Sequence, residues 1–327
     1  MKFPAALLII SCFSSAGLLF AADLRIGIIG CDTSHATAFT KLFNDPSDKN
    51  HIAGGKVVAF YKGGSPDIKE SASRLENIAK DLREKFHVKE VNSVEDLCKE
   101  VDVVLLESLD GRPKLEQIGP VLKAHKPVFI DKPIAASLKD ALQINKLAKE
   151  NHTPWFSSSA YRYYESMVEL QTNNFGTVHG AISYGPCELE SHHPDFFWYG
   201  IHATEALFTI MGPGCESVSR TSTPDTDVAT GVWSDGRVGT LRGLRNGATP
   251  HAVIVFGSKN VIEQKKGQDD YAPLVHQILK FFQTGISPVS NEDTIAIYAF
   301  MEAADESKRA GGMPVKISDV LRKNGGL

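Results

Sequence analysis

Two groups in this chain have the type and setting for proton chemistry on a small molecule. One is the lysine of Asp131-Lys132-Pro133; the other is His202 in the run Trp198-Tyr199-Gly200-Ile201-His202-Ala203-Thr204-Glu205. An imidazole titrates near neutral pH and takes a hydroxyl proton readily, while a lysine amine donates to the oxygen or lowers the cost of a developing alkoxide. Proline restricts the residue before it, so Lys132 is expected in an extended conformation beyond a strand, facing a crevice. A plain surface lysine is the alternative. His202 with Glu205 three places on is equally compatible with a structural pair on one helix face.

A second set lies near the start. Arg25-Ile26-Gly27-Ile28-Ile29-Gly30, then Cys31-Asp32-Thr33-Ser34-His35, has the pattern of a first buried strand and the turn after it in a doubly wound sheet. Only the first glycine of Gly-x-Gly-x-x-Gly is kept, and Asp32 stands at the second. A carboxylate there competes with a phosphate for free backbone N–H groups. Either Thr33, Ser34, His35 and the amides bind an anion or a substrate hydroxyl, or Asp32 or Ser34 caps the helix and nothing else binds. Lys62 sits where a dinucleotide site usually has an acid, which suits a 2′-phosphate or a solvated turn lysine.

The segment 187–195 adds Glu188, Glu190, His192 and His193. Adjacent histidines in an extended segment point to opposite sides, so no metal site is expected. One of the two is expected to enter the crevice and recognise a sugar or an acid. Trp198 and Tyr199 are an aromatic platform for a sugar ring or buried anchors. Tyr161-Arg162 is a further candidate contact to the same cleft.

These groups need a scaffold. From Asp23 to about Glu150, β-rich runs alternate with amphipathic helices, the mark of parallel βαβ units. Strands are expected over 24–29, 56–61, 101–106 and 127–130. Helices are expected over 34–44, 66–86 with Ser65 as cap, 94–99, 114–124 and 138–150. Beyond Pro154 the pattern predicts a helix over 164–174, a strand over 178–184 and a helix over 200–211. A meander over 228–234, 238–243, 251–256 and 260–264 follows, then helices over 271–284 and 292–310. The fold class is α/β: a Rossmann-like doubly wound parallel sheet over 23–153, then an α+β domain over 154–327 on a largely antiparallel sheet.

With 327 residues, 42% of them hydrophobic, and a net charge of -4, the chain suits a two-domain globular protein without the basicity of a nucleic-acid binder. No later apolar stretch is long enough to span a membrane. Residues 1–22 have a short positive start, an apolar middle and small residues before Asp23, which predicts a signal peptide and export to the periplasm, an uncleaved anchor being the alternative. Cys31, Cys98, Cys187 and Cys215 have no metal-type spacing; Cys187 and Cys215 either bridge or stay buried thiols.

The glycine strand, Asp131-Lys132-Pro133 and the run 198–205, in this order, resemble the Gfo/Idh/MocA oxidoreductase family over nearly all of the mature chain. The resemblance implies a Rossmann domain and a C-terminal domain whose sheet often serves in oligomers, hence a homo-oligomer. It implies a nicotinamide cofactor, NAD or NADP, at Gly27, Gly30, Asp32, Thr33, Ser34 and His35, and a sugar, cyclitol or related polyol as substrate. Export implies that the cofactor is held tightly. Lys132 matches the lysine of the family's Glu-Lys-Pro motif, and His202 the acid/base histidine of Asp-x-Gly-x-His-x-x-Asp. Arg162, His192, His193, Trp198, Tyr199 and Glu205 are the candidate substrate contacts. Asp131, Trp198, Glu205 and the segment 107–112 depart from the family pattern, which suggests altered cofactor use or substrate. The same pair would also serve a lyase or glycosidase, and a non-catalytic carbohydrate binder is the third expectation.

Overall fold

In the computed structural model, which describes residues 22–267 and 270–326, the apolar run after Asp23 forms β1 (Leu24–Ile29) at the centre of a six-stranded sheet. The expected signal peptide falls on residues 1–21, outside the described residues, with Ala22 the first that is described. Strands β2 (Gly55–Tyr61), β3 (Lys89–Val91), β4 (Val103–Leu106), β5 (Val128–Ile130) and β6 (Trp155–Phe156) complete the order β3-β2-β1-β4-β5-β6, with every neighbouring pair parallel. Parallel strands need crossovers on both faces, which buries the sheet and explains the unbroken apolar runs. The crossovers are α1 (Ser34–Asn44), α2 (Lys69–Glu84), α3 (Val94–Glu100), α4 (Lys114–Lys123) and α5 (Leu138–Glu150). Ser93 and Ser137 cap α3 and α5 by accepting from the amides of Asp96 and Asp140.

The second sheet has the order β12-β11-β7-β10-β9-β8-β13. Its members are β7 (Val178–Pro186), β8 (Cys215–Ser222), β9 (Thr226–Trp233), β10 (Val238–Leu244), β11 (Ala252–Gly257), β12 (Val261–Glu263) and β13 (Val315–Lys316). The helices of this half are α6 (Glu165–Thr172), α7 (Gly200–Met211), α8 (Ala272–Thr284), α9 (Asn291–Arg309) and α10 (Ile317–Lys323). The sheet is largely antiparallel, but the expected meander is broken. β7 lies between β10 and β11 and pairs parallel with β10, so β10 and β11 never touch.

The two halves share their packing. Helix α8, late in the chain, joins the cluster of Ile26, Phe39 and Phe129 on the first sheet. Helix α9 joins the cluster that runs through both sheets, and its Tyr298 hydroxyl accepts from the Ile134 amide at 2.5 Å, just after Lys132-Pro133. The expected boundary at 153/154 falls before β6, which pairs with β5 and so belongs to the first sheet. Cys31, Cys98, Cys187 and Cys215 are all free thiols, so Cys187 and Cys215 do not bridge.

One buried charge cluster fixes the approach to α7. Arg220 on β8 is almost fully buried and meets Asp227, Asp195 and Asp305, with its guanidinium over the Phe196 ring. Asp195 opens the short turn that leads into Trp198. Burial pushes the Asp305 carboxyl up to about 7 against the pull of Arg220. Removing Arg220 would take from buried Asp305 its cation partner and leave Asp227 to Arg245 and Asp195 to Lys308. Arg220→Ala should therefore lower the unfolding free energy by about 3–5 kcal/mol, read as a lower urea midpoint at unchanged slope.

Candidate functional site

The amine of Lys132 and the imidazole of His202 line one cavity of about 200 Å³. Lys132 follows β5 at the carboxyl edge of the first sheet, where open α/β sheets bind ligands. Its amide donates to its neighbour's Asp131 Oδ1 at 2.9 Å, and its ammonium lies 5.4 Å from the centre of the Tyr199 ring. Burial lowers the Lys132 pKa, with Asp131 and Glu70 partly offsetting it.

His202 sits in the first turn of α7. Its Nδ1 lies 2.7 Å from Ser159 Oγ, which also accepts from the Tyr161 amide at 3.2 Å. In the tautomer that donates from Nδ1 to Ser159, Nε2 keeps its lone pair for a ligand. Burial holds the imidazole well below its ordinary 6.5, and the facing Lys132 charge adds to the effect.

Glu205 does not reach the cavity. It accepts from the Ser158 hydroxyl, from the Ser159 amide at 2.8 Å and from Arg162 Nε at 2.9 Å. Arg162 is spent on the same ion pair, so the two expected substrate contacts instead hold the serine that holds His202. A carboxylate one helical turn after the imidazole points back to the segment following β6, which is why the helix pair does not face the substrate.

His192 and His193 also lie outside the cavity lining. His193 is buried, with Nε2 3.1 Å from both the Gly111 amide and Asp110 Oδ1, and Nδ1 3.0 Å from Glu190. It therefore bridges the loop after β4 to the second half. His192 is exposed and bonds to Glu190 at 2.8 Å. Trp198 packs with Ile68 and Leu109, and Tyr199 alone of the aromatic pair lines the cavity. Both border a wider cleft of about 620 Å³ with Glu70, Glu188 and Glu190.

At the first turn the expected cofactor residues divide. Thr33, Ser34 and His35 line the cavity. Thr33 is the cap of α1, accepting from the His35 amide at 3.4 Å. Gly27 is a packing position: a side chain there would meet Leu97 and Val101 at 3.0 Å. Gly30 has φ +93, and a Cβ on it would fall 2.4 Å from the Ser108 amide nitrogen, so only glycine lets β1 turn this close to the loop after β4. Asp32 does not cap α1; it is wholly buried and accepts from the Leu109 amide at 3.0 Å and the Ser71 hydroxyl at 2.7 Å.

Behind the cavity wall, His35 Nδ1 lies 2.7 Å from Asp131 and 3.8 Å from Glu107. These three groups lie close enough together to share an ion, and both Glu107 oxygens lack a hydrogen-bond donor. Burial, then the Asp131 charge, raises the Glu107 pKa well above its ordinary value. Asp131 stays ionised: burial opposes that, but His35, Lys132 and Lys114 outweigh it. The motifs did not mark Ser159, Glu70, Arg74 or His251, which also line the cavity. The run Ser157-Ser158-Ser159 just after β6 was the available signal for the first.

The comparisons agree with this architecture. A probable dehydrogenase from Thermotoga maritima is similar at TM-score 0.75 and 20% identity, covering 91% of this chain and 100% of that one. A myo-inositol 2-dehydrogenase from Lactobacillus plantarum follows at 0.72 and 18%, covering 90% and 99%. An oxidoreductase from Agrobacterium radiobacter, in complex with NAD+, L-tartaric acid and magnesium, stands at 0.71 and 15%, covering 91% and 100%. No curated protein matches by sequence. Residues 24–158 match GFO_IDH_MocA, described as an oxidoreductase family with an NAD-binding Rossmann fold. By that match, residues 24–158, which carry Lys132, are similar to the NAD-binding Rossmann part of the Gfo/Idh/MocA oxidoreductases, and the solved structures share the fold of both halves.

Proposed function

We propose that this protein is an exported oxidoreductase acting at a hydroxyl-bearing carbon of a sugar, cyclitol or related polyol. The observation that carries the proposal is the shared cavity of Lys132 and His202, whose volume suits one small ring. His202 Nε2 takes the hydroxyl proton, Ser159 holds the ring in place, and Lys132 donates to the oxygen as charge develops on it. The exposed Val232, Val238 and Phe256 of the second sheet offer an apolar face for a second copy. Export rests on the sequence of residues 1–22.

The family's cofactor is a nicotinamide dinucleotide, which when bound accepts the hydride that leaves the carbon. The cavity end of its groove suits it, with Thr33 and Ser34 beside Lys132. The diphosphate end does not fit an extended dinucleotide in this arrangement, because the Asp32 side chain stands there, bonded to Leu109 and Ser71. Lys62, the candidate for a 2′-phosphate, pairs with Glu76 at 2.7 Å. This filled seat favours a second reading, a lyase or glycosidase using the same proton chemistry.

A panel of sugars, cyclitols and glycosides, incubated with NAD or NADP and analysed by mass spectrometry, separates the two. A keto product with reduced cofactor supports the first; a cleaved glycoside without net reduction supports the second. For whichever substrate reacts, His202→Ala should lower kcat by about 10²–10⁴-fold. Lys132→Ala should lower it too, and unchanged turnover in both variants would refute the assignment.

The depressed His202 pKa has its own consequence. The working base is the neutral ring, and burial with Lys132 disfavours its protonation, so the base persists as pH falls through 6.5. The acid limb of kcat/KM should lie below pH 6.5. In an NMR titration, Lys132→Met should raise the His202 pKa toward the ordinary value; a fall would contradict the geometry.

A further inference from the structure

The dinucleotide groove of this fold runs over the turn after β1 and between that turn and the loop after β4. Here the chain's own residues fill it. Asp32, at the position where the fold's second glycine leaves room for the diphosphate, bridges the Leu109 amide on one side and the Ser71 hydroxyl of α2 on the other. The amides of Gly30 and Cys31 are spent on the carbonyls of Tyr61 and Lys62 at 3.0 and 2.9 Å.

Residues 62–68 then lie across the turn as a strap. A Cβ on Gly63 would stand 3.4 Å from the Gly30 Cα, ordinary contact distance. Further on, Ser65 donates to Asp110 at 2.6 Å, and Arg112 grips both oxygens of Asp67 at 2.8 Å while also bonding to Asp110. Ile68 closes the crossing by packing on Leu109 and Trp198. The strap is thus pinned at the turn, at the loop after β4 and against the second half.

We infer that Asp32 is a built-in competitor for the dinucleotide's diphosphate, with residues 62–68 as the strap that keeps it seated. A dinucleotide enters only when the carboxylate leaves Leu109 and Ser71, so its apparent affinity falls with the fraction of open molecules. The inference rests on the family's cofactor as part of the proposed function, but its readout is binding and uses no polyol. Failure to find a substrate would leave it standing.

The test compares NADH and NADPH binding to the full mature chain and to Asp32→Gly by fluorescence titration, with thermal melts to confirm folding. Mass spectrometry of the denatured wild type reads any carried nucleotide. The variant should bind about tenfold or more tightly than the wild type, and the wild type should carry no stoichiometric dinucleotide. Ser71→Ala, which loosens one carboxylate oxygen with less disruption, should shift affinity the same way if Asp32→Gly does not fold. Wild-type protein purified with a full complement of dinucleotide, or folded variants no tighter than the wild type, would overturn the inference.

Discussion

The site depends on the grip of one carboxylate. Glu205 leaves α7 and takes the Ser158 hydroxyl, the Ser159 amide and Arg162, all in the segment that follows the last strand of the first sheet. That contact draws the start of α7 against the edge where Lys132 emerges. A carboxylate satisfied by charge-assisted bonds is stiff, and the serine it fixes in turn orients His202. This link works with the shared core and the Tyr298–Ile134 bond beside Lys132 to set the separation of two reacting groups that belong to different halves.

Electrostatics follow from that closeness. Lys132 and His202 both move down, burial being the first cause for each, and the Lys132 charge adds to the fall of His202. The imidazole, starting lower, gives up its proton first, which leaves a base facing a donor across the cavity. Behind Lys132 the same burial splits two carboxyls: Asp131 is held down by His35, Lys132 and Lys114, and Glu107 is pushed up. Lys114 donates to the Asp131 carbonyl at 2.6 Å, so the wall is bonded as well as charged.

Patterns governed by local rules were legible. The helices Ser34–Asn44 and Gly200–Met211 have the bounds that periodicity gives, and the Ser93 and Ser137 caps follow from residue type. The meeting of Lys132 and His202 was legible only through the order of the motifs. β3 was missed because it has three residues, and β8 because its outer face is polar. The place of β7 between β10 and β11 is a long-range pairing that no local pattern encodes. Glu205, Arg162 and His193 have the chemistry of ligand contacts, but protein groups satisfy them first, and sequence does not reveal that competition.

The start of α2 shows how such competition reshapes an element. Ser65 and Pro66 are a good cap and first-turn residue, yet the helix begins at Lys69 with no side-chain cap. A lost cap costs about 1 kcal/mol, and several bonds repay it. The Ser65 hydroxyl goes to Asp110, its amide to Ser71, and Asp67 takes the fork of Arg112. Arg–carboxylate forks are stronger than a neutral cap bond. Asp32, Asp110 and Arg112, which seem separate departures in sequence, are thus one structural change. An acid at the turn needs donors, the segment 62–68 brings Ser71 to it, and the loop after β4 supplies the Leu109 amide and the anchors that hold that segment down.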